Sequence, residues 1–353
     1  MTKLNRRHLL CAMAVAGAAP LIGRAADVAS PLRDVLDRAA QPSPLAARAL
    51  INGLALAGDR VVAVGQRGHV LWSDDQGKRW QQADVPLASD LVAVTFPIAT
   101  RGWAVGHDGV VIASIDQGRS WQRQLDGRAL GEVLVKHYAR VGDAKWLAEA
   151  QRFAAQGAEN PLLDVWFDDA RTGYVVGAFG LVLRTDDGGA NWEPLLHATD
   201  NPKALHLYAV RRVGADLYIA GEQGLLLKHD AGSGRFAALN VPYPGTLFGV
   251  LGNPRVVLAF GLRGNVVRST DRGRTWQAAS TGVPVGLTAG TLDEQGRIVL
   301  VSQAGHVLAS TDDGATFAPL KIARTQPAAA VTRAGAGTLV FGGPRGLHTV
   351  TGV

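Results

Sequence analysis

The strongest constraint on the fold of this chain is a Gly-x-x-Gly turn between two apolar segments, which recurs along most of the sequence. Its closing glycines fall at positions 68, 109, 180, 224, 264, 305 and 346, so the spacing stays close to 40 residues except for one interval of 71. In the sixth copy, Ser302–Gly305, a serine replaces the first glycine. A fixed period of this size predicts a repeat protein whose units stack on one another, with one insertion.

A second motif follows the third strand expected in each unit and reads Ser/Thr-x-Asp-x-Gly-x-x-aromatic. The hydroxyl and carboxylate groups can hydrogen-bond the backbone of their own turn, and the aromatic residue is expected to pack against its unit. Lys228–Phe236 is a degenerate copy. We predict a structural role for the aspartate and aromatic residue of the five complete copies, which are Asp75 and Trp80, Asp116 and Trp121, Asp187 and Trp192, Asp271 and Trp276, and Asp312 and Phe317.

This second motif is the Asp box, or BNR repeat, and residues 50–353 resemble sialidase-like β-propellers. Four short strands per 40-residue unit predict a propeller blade independently of that resemblance. The predicted fold is all-β: a seven-bladed β-propeller of four-stranded antiparallel blades. Because the seventh blade ends without a fourth strand, we expect the N-terminal segment 26–49 to close the ring from within residues 27–47, with Asp34–Arg38 as the first candidate.

The long interval, residues 127–160, has helical rather than strand periodicity. Asp143 can cap the start of a helix and Gly157 can end one, which leaves a helical hairpin and one broken helix as alternatives. The insertion joins the fourth strand of blade 2 to the first strand of blade 3. We therefore expect it on the face that carries the Gly-x-x-Gly turns, opposite the Asp boxes.

Residues 1–25 have the pattern of an export signal. Arg6 and Arg7 precede an apolar run, Leu9–Ile22, that is too short for a stable membrane anchor. The pattern resembles a twin-arginine signal, with an ordinary secretory signal as the alternative. We expect cleavage near Ala25 and a periplasmic protein. Without the four cationic residues of that segment, the formal charge falls from +6 to +2, which gives no basis for nucleic-acid binding.

Catalytic and metal-binding patterns are missing from the sequence. The resemblance to sialidases would imply three arginines, a Tyr/Glu nucleophile pair and a Phe-Arg-Ile-Pro-type motif, and no such motif matches. His69, His107 and His306 do not have ligand spacing. We therefore predict that the chain is not an enzyme and has no cofactor or metal.

The central residues of the Gly-x-x-Gly turns differ while their frame repeats, as in binding loops on a rigid scaffold. The alternatives are a solvated rim and, for the insertion, an apolar stripe that only packs on the propeller. The predicted partner-binding residues are Arg67, His107, Asp108, Phe179, Glu222, Arg263 and Arg345 in the turns and Trp146 in the insertion.

A closer resemblance is carried by Leu91–Gly109, with Leu-x-Ala-Val-x-Phe followed by Gly-Trp-Ala-Val-Gly-His-Asp-Gly, and by the matching stretch Leu162–Gly180. These segments resemble the photosystem II assembly/stability factor family. The resemblance implies a non-enzymatic scaffold for a membrane reaction-centre subunit. We expect a periplasmic assembly, stability or accessory factor that is monomeric and at most peripheral to the membrane, whose partner is a membrane-complex subunit or another exported protein. The alternative is a sialidase-like carbohydrate-active propeller or a glycan-binding module.

Overall fold

Antiparallel sheets account for most of the regular structure in the described residues, 33–293, 295–322 and 326–353. In this computed structural model, seven sheets follow one another along the chain, six with four strands and one with three. The predicted export signal, residues 1–25, lies outside the described residues.

Sheets 1 to 4 each contain four strands in chain order. Their bounds are β1 Ile51–Ala57, β2 Arg60–Gly65, β3 Val70–Ser73 and β4 Gln81–Gln82; β5 Leu91–Ile98, β6 Arg101–Gly106, β7 Val111–Ser114 and β8 Gln122–Leu125; β9 Leu162–Phe167, β10 Gly173–Gly177, β11 Val182–Thr185 and β12 Glu193–Pro194; and β13 Leu207–Val213, β14 Asp216–Gly221, β15 Leu226–Asp230 and β16 Arg235–Ala238.

Sheets 5 and 6 have the same arrangement, and sheet 7 has three strands. Their bounds are β17 Leu247–Asn253, β18 Val256–Gly261, β19 Val266–Ser269 and β20 Gln277–Ala279; β21 Leu287–Leu292, β22 Ile298–Ser302, β23 Val307–Ser310 and β24 Ala318–Pro319; and β25 Ala330–Arg333, β26 Thr338–Gly343 and β27 Gly346–Thr351.

The second strand of each sheet lies in the core. β2, β18 and β26 are buried along their whole length, which explains their mostly apolar sequences, since a strand covered on both faces favours apolar residues at every position. In every sheet, the residue three positions before the first residue of the Gly-x-x-Gly motif has a large buried side chain. These residues are Val62, Trp103, Tyr174, Tyr218, Leu258, Val299 and Val340.

The sheets form a closed cycle. The first strand of each sheet contacts the first strand of the next, and β25 of sheet 7 contacts β1 of sheet 1. In the joint between sheets 7 and 1, the hydroxyl of Thr349 donates to the carbonyl oxygen of Gly77 at 3.0 Å. Val340, Val61 and Trp80 pack together at the same joint.

The predicted closing strand at Asp34–Arg38 is wrong. Val35–Asp37 is a 3-10 turn, because the carboxylate of Asp34 accepts the N–H of Leu36 at 2.9 Å and caps it. Leu36 is buried in a cluster shared by sheets 1 and 2 and does not pair with a strand of sheet 7. Within the described residues sheet 7 therefore has three strands rather than the four predicted, and residues 27–32 of the predicted segment lie outside them.

Each complete Asp box is a small hydrogen-bonded loop between the third and fourth strands. In sheet 1, the hydroxyl of Ser73 donates to Asp75 and accepts the N–H of Gly77, both at 2.9 Å. The same Asp75 oxygen accepts the N–H of Arg79 at 2.9 Å, and the indole N–H of Trp80 donates to the carbonyl of Gly77 at 3.1 Å. The loop thus meets its backbone hydrogen-bonding needs with its own side chains.

Two helices stand between β8 and β9 in the chain: α1, Gly127–Val141, and α2, Ala144–Gln156. Asp126 caps α1 and Asp143 caps α2 by accepting backbone N–H groups of the first turn. Neither helix has the length and hydropathy that a membrane-crossing helix needs, and the described residues contain no other candidate. The apolar sides of both helices pack into the core cluster of sheets 2 and 3 through Leu130, Leu134, Tyr138, Ala150 and Phe153.

Candidate partner-binding face

The Gly-x-x-Gly turns share one backbone conformation in sheets 1 to 5. The two central residues and the closing glycine form a 3-10 turn. The second central residue is left-handed in all five, with φ between 53° and 57°, a conformation that bulky residues adopt only when the surroundings hold them in it. These residues are Arg67, Asp108, Phe179, Gln223 and Arg263.

Each turn is attached to the segment that leads into the first strand of its sheet. In sheet 1 the N–H of Gln66 donates to the carbonyl of Leu50 at 3.1 Å, and a Cβ on Gly65 would lie 2.1 Å from that same oxygen. Glycine is therefore required by the close backbone approach. The equivalent bond occurs in six of the described turns, from the N–H of Gln66, His107, Ala178, Glu222, Leu262 and Gln303.

The predicted binding residues in these turns fall into two groups. Arg67, Arg263 and Arg345 are exposed, and their guanidinium groups have no ion-pair partner among the described residues. Asp108 instead accepts a hydrogen bond from the hydroxyl of Ser89 at 2.6 Å. Glu222 accepts the N–H of His206 at 2.9 Å. The two carboxylates thus stabilise the face, while the three arginines extend from it.

His107 is also exposed at its turn, and the residue beside it, Asp108, contacts the insertion. A Cβ on Gly127, the first residue of α1, would lie only 2.9 Å from the carbonyl oxygen of Asp108. On sheet 3 the guanidinium of Arg152 in α2 lies 5.6 Å from the ring of Phe179. Both helices therefore contact Gly-x-x-Gly turns, α1 at sheet 2 and α2 at sheet 3.

A cleft of about 620 Å³ lies between α2 and sheets 3 and 4; we name it the insertion cleft. It brings together two of the predicted residues, Trp146 and Phe179. The sequence did not indicate its other members, most of which come from the connection between sheets 3 and 4 and from the degenerate Asp box. The lining residues are Lys145, Trp146, Glu149, Phe179, Gly180, Leu196, His197, Thr199, Asp200, Asn201, Pro202, Ala204 and Arg235.

A row of aromatic rings continues from the cleft across sheets 4 and 5. The ring centroids of Phe179 and His206 are 4.8 Å apart, and those of Tyr208 and Phe248 are 5.4 Å apart. His206 also lies 6.5 Å from Tyr208 and accepts the N–H of Phe179 through Nδ1 at 2.8 Å. Tyr208 and Phe248 occupy the same position in successive first strands, one residue after the strand begins.

Beneath the cleft, α1 is attached to sheet 3 by a small polar cluster. The hydroxyl of Tyr138 and Nδ1 of His197 are 3.2 Å apart, and His137 is buried beside them with Nε2 unpaired among the described residues. Burial lowers the pKa of His137, and the nearby His197 lowers it further, against the opposing effect of Glu193. Burial raises the pKa of Tyr138 to about 12. Both groups are therefore neutral near pH 7.

A sialidase site within the described residues would need a tyrosine hydroxyl paired with a glutamate. None of the tyrosine hydroxyl hydrogen bonds found in that part of the chain goes to a glutamate: Tyr138 meets His197, and Tyr243 donates to the carbonyl of Leu262 at 2.8 Å. Burial raises the pKa of Tyr174 and of Tyr218, which opposes nucleophilic activation. Within the same residues no group of three His, Asp or Glu side chains could hold a metal.

Comparison with protein families identifies the chain. A family model described as photosynthesis system II assembly factor YCF48 matches residues 144–321, which is half of the sequence. The chain belongs to this family. The matched region begins at the first residue of α2 and ends after β24, so it covers the second helix and sheets 3 to 6.

A curated relative has the same family description. The photosystem II assembly lipoprotein Ycf48 of Synechococcus sp. (strain CC9902) is 30% identical over 161 residues. The alignment covers 44% of this chain and 48% of the relative, so the chain matches about half the length of that protein.

Solved structures share the fold over nearly the whole chain. YCF48 bound to a D1 peptide has a TM-score of 0.64 at 16% identity, covering 90% of this chain and 96% of that one. YCF48 from Cyanidioschyzon merolae has a TM-score of 0.62 at 15% identity, covering 88% and 97%. The WD40 β-propeller domain of Doa1 also reaches 0.62, at 9% identity, covering 90% and 96%. These likenesses confirm the predicted β-propeller architecture.

Proposed function

We propose that this protein is a periplasmic, non-enzymatic scaffold that binds a polypeptide segment of a membrane-complex subunit during assembly. Membership of the Ycf48 family supports the assembly role. One structurally similar family member was solved bound to a D1 peptide, which supports a peptide as the ligand here as well. The relative from Synechococcus is named a lipoprotein, and together with the export pattern of residues 1–25 this supports an exported location.

The observation that carries the proposal is the set of three exposed arginines on fixed turns. Arg67 and Arg263 are held in the same left-handed conformation, and Arg345 is the corresponding central residue in sheet 7. Their guanidinium groups are free of internal ion pairs among the described residues, so they are available to carboxylates or aromatic groups of a partner. His107, Phe179 and Trp146 belong to the same proposed surface, on which the chain acts as a monomer without catalysis.

The test is a charge reversal of these turns. We expect the triple variant Arg67→Glu, Arg263→Glu and Arg345→Glu to lose the integral membrane subunit that the parent protein retains from detergent-solubilised membranes. The loss should leave the melting temperature nearly unchanged, because none of the three guanidinium groups is paired within the described fold.

A matched control reverses the same charge on the Asp-box face. Lys78, Arg119 and Arg274 each follow a box glycine and are exposed, so their change to Glu gives the same net charge. We expect this control to retain the subunit. Equal retention by the turn variant, or equal loss by both variants, would show that these arginines do not form the binding surface.

A further inference from the structure

The insertion cleft is a preformed site whose walls come from four separate parts of the chain: α2, the turn of sheet 3, the connection between sheets 3 and 4, and the degenerate Asp box. Trp146 and Lys145 lie in the capped first turn of α2, and Phe179 lies at the tip of the turn in sheet 3. Phe179 has φ of 53° and is 40% exposed, whereas the other left-handed turn residues are polar. Its N–H bond to His206 and the neighbouring bond from Ala178 to the carbonyl of Pro161 fix this conformation. A strained, exposed aromatic residue at a cleft is characteristic of a binding site.

The available charge in the cleft is positive. Its two carboxylates already have cationic partners, since Glu149 pairs with Arg152 and Asp200 lies 3.4 Å from Arg235. Asp200 also accepts the N–H of Ala238 at 3.2 Å. By contrast, Lys145 has no carboxylate partner among the described residues, and its ammonium group lies 5.0 Å from the ring of Trp146. A ligand carboxylate could therefore pair with the ammonium group of Lys145, next to the ring of Trp146.

The aromatic walls suit an aliphatic or aromatic side chain better than a sugar ring. The ring centroids of Trp146 and Tyr138 are 6.0 Å apart, and the ammonium group of Lys145 lies over the Trp146 ring. The ring of Phe179 makes a T-shaped contact with His206, and the guanidinium group of Arg152 lies near the same ring. Each ring therefore already has two neighbouring groups, which compete with the flat stacking that carbohydrate sites use. Phe179 still keeps 40% of its surface exposed for apolar contact.

We infer that the insertion cleft binds a short extended peptide in which an apolar side chain is followed by a carboxylate. The apolar side chain lies between Trp146 and Phe179, and the carboxylate pairs with Lys145. A volume of about 620 Å³ is within the usual range for ligand pockets and accommodates a few residues. This inference rests on the proposed function only in taking the ligand to be a polypeptide, and it assigns the apolar anchor of that ligand to the insertion.

The test uses fluorescein-labelled hexapeptides and the purified protein, with binding followed by fluorescence anisotropy. The peptides are Gly-Ser-X-Asp-Ser-Gly, where X is Leu, Phe, Trp or Ser, and the same set with Lys in place of Asp. We expect saturable binding below about 1 mM for at least one apolar Asp peptide, and binding about tenfold weaker for its Ser and Lys counterparts. If no apolar Asp peptide binds in this range, the inference is wrong.

Variants then locate the site. Trp146→Ala and Phe179→Ser should each weaken binding about tenfold, as expected for truncation of an anchoring aromatic contact. Lys145→Glu changes an exposed residue, so it should fold normally and reverse the preference from the Asp to the Lys peptide. Leu262→Ser is the matched control, because Leu262 is 37% exposed in an equivalent turn of sheet 5 outside the cleft.

The outcomes separate this inference from the proposed function. An unchanged peptide preference in Lys145→Glu, or equal weakening by Leu262→Ser, would overturn the assignment to the cleft. The triple arginine variant should still bind the hexapeptides, because its changed residues lie in sheets 1, 5 and 7. If the hexapeptides bind but the triple arginine variant still captures the subunit, the proposed arginine surface is wrong. The inference about the insertion cleft then still holds.

Discussion

At the scale of single residues, the Asp-box loops connect neighbouring sheets. A Cβ on Gly118, in the box of sheet 2, would lie 3.2 Å from Val62 of sheet 1. A Cβ on Gly273, in the box of sheet 5, would likewise lie 3.2 Å from the ring of Tyr218 in sheet 4. Each box thus packs on the large buried residue in the second strand of the preceding sheet. The repeated aromatic residue is the part of the box that covers this joint.

We expect Trp276→Ala to lower the free energy of unfolding by about 3–5 kcal/mol, the usual cost of removing a large buried aromatic side chain. Trp276 is 8% exposed and packs in the core cluster of sheets 4 and 5. Urea unfolding followed by circular dichroism measures the loss.

Trp276→Phe is the control for the ring itself. It keeps most of the apolar surface but loses the indole N–H bond to the carbonyl of Gly273 at 3.2 Å. We expect Trp276→Phe to lower the free energy of unfolding by about 1 kcal/mol, the usual contribution of one hydrogen bond. Equal losses in the two variants would contradict a packing role for the ring.

At the scale of elements, the helical insertion contains a buried histidine, His137. His137 of α1 faces Glu193 of β12, His197 of the following 3-10 turn and Arg140 of its own helix. Because the pKa of His137 is lowered in the folded state, the unfolded chain binds a proton more readily. The stability contributed by the neutral ring is therefore complete above the ordinary pKa of about 6.5 and is lost as pH falls below it.

We expect the amide protons of α1 and α2 to exchange faster, relative to the intrinsic rates, at pH 5.5 than at pH 7.5. The change of opening free energy should not exceed about 1.4 kcal/mol per pH unit for one proton. His137→Gln should flatten this dependence. A local measurement is needed because burial also lowers the pKa of His69 and of His229. An unchanged pH dependence of helix exchange in His137→Gln would exclude His137 as its source.

At the scale of the whole molecule, the N-terminal segment crosses the joints between sheets instead of completing a sheet. Arg128 of α1 pairs with Asp34 and Asp37, at 3.1 and 3.0 Å. Further along, the N–H of Ala40 donates to the carbonyl of Val85 at 3.0 Å. The segment then passes Gly346 of sheet 7, where a Cβ would lie 2.2 Å from the carbonyl of Ala47. It thus contacts sheets 1, 2 and 7 in turn.

We expect Leu36→Ala to destabilise the propeller by about 2–5 kcal/mol, because Leu36 is 2% exposed at the joint of sheets 1 and 2. Leu45→Ala is the matched control in the same segment, since Leu45 is 60% exposed, and it should change stability by less than about 0.5 kcal/mol. Chemical denaturation of both variants gives the comparison. Similar stabilities would mean that the segment does not hold the sheets together.

Sequence alone determined the features that depend on short stretches of chain. The repeat of about 40 residues predicts seven stacked units, and the described residues form seven sheets. The Asp-box pattern predicts side-chain bonds to the backbone of the same turn, which involve residues only two to four positions apart, as in Ser73 and Gly77. Such features can be read locally because their hydrogen-bonding partners are close in sequence.

Only the tertiary structure decided which distant residues meet. The lack of a fourth strand in the seventh unit predicts a strand at Asp34–Arg38, but Asp34 caps a 3-10 turn and pairs with Arg128 of α1, which is distant in sequence. The insertion cleft likewise joins Lys145, Phe179 and Arg235, which have no common motif. Their proximity follows from the way neighbouring sheets and the insertion pack, and local periodicity carries no information about that packing. The turns that carry the arginines were visible in the sequence, whereas the site between the insertion and sheets 3 and 4 was created by the fold.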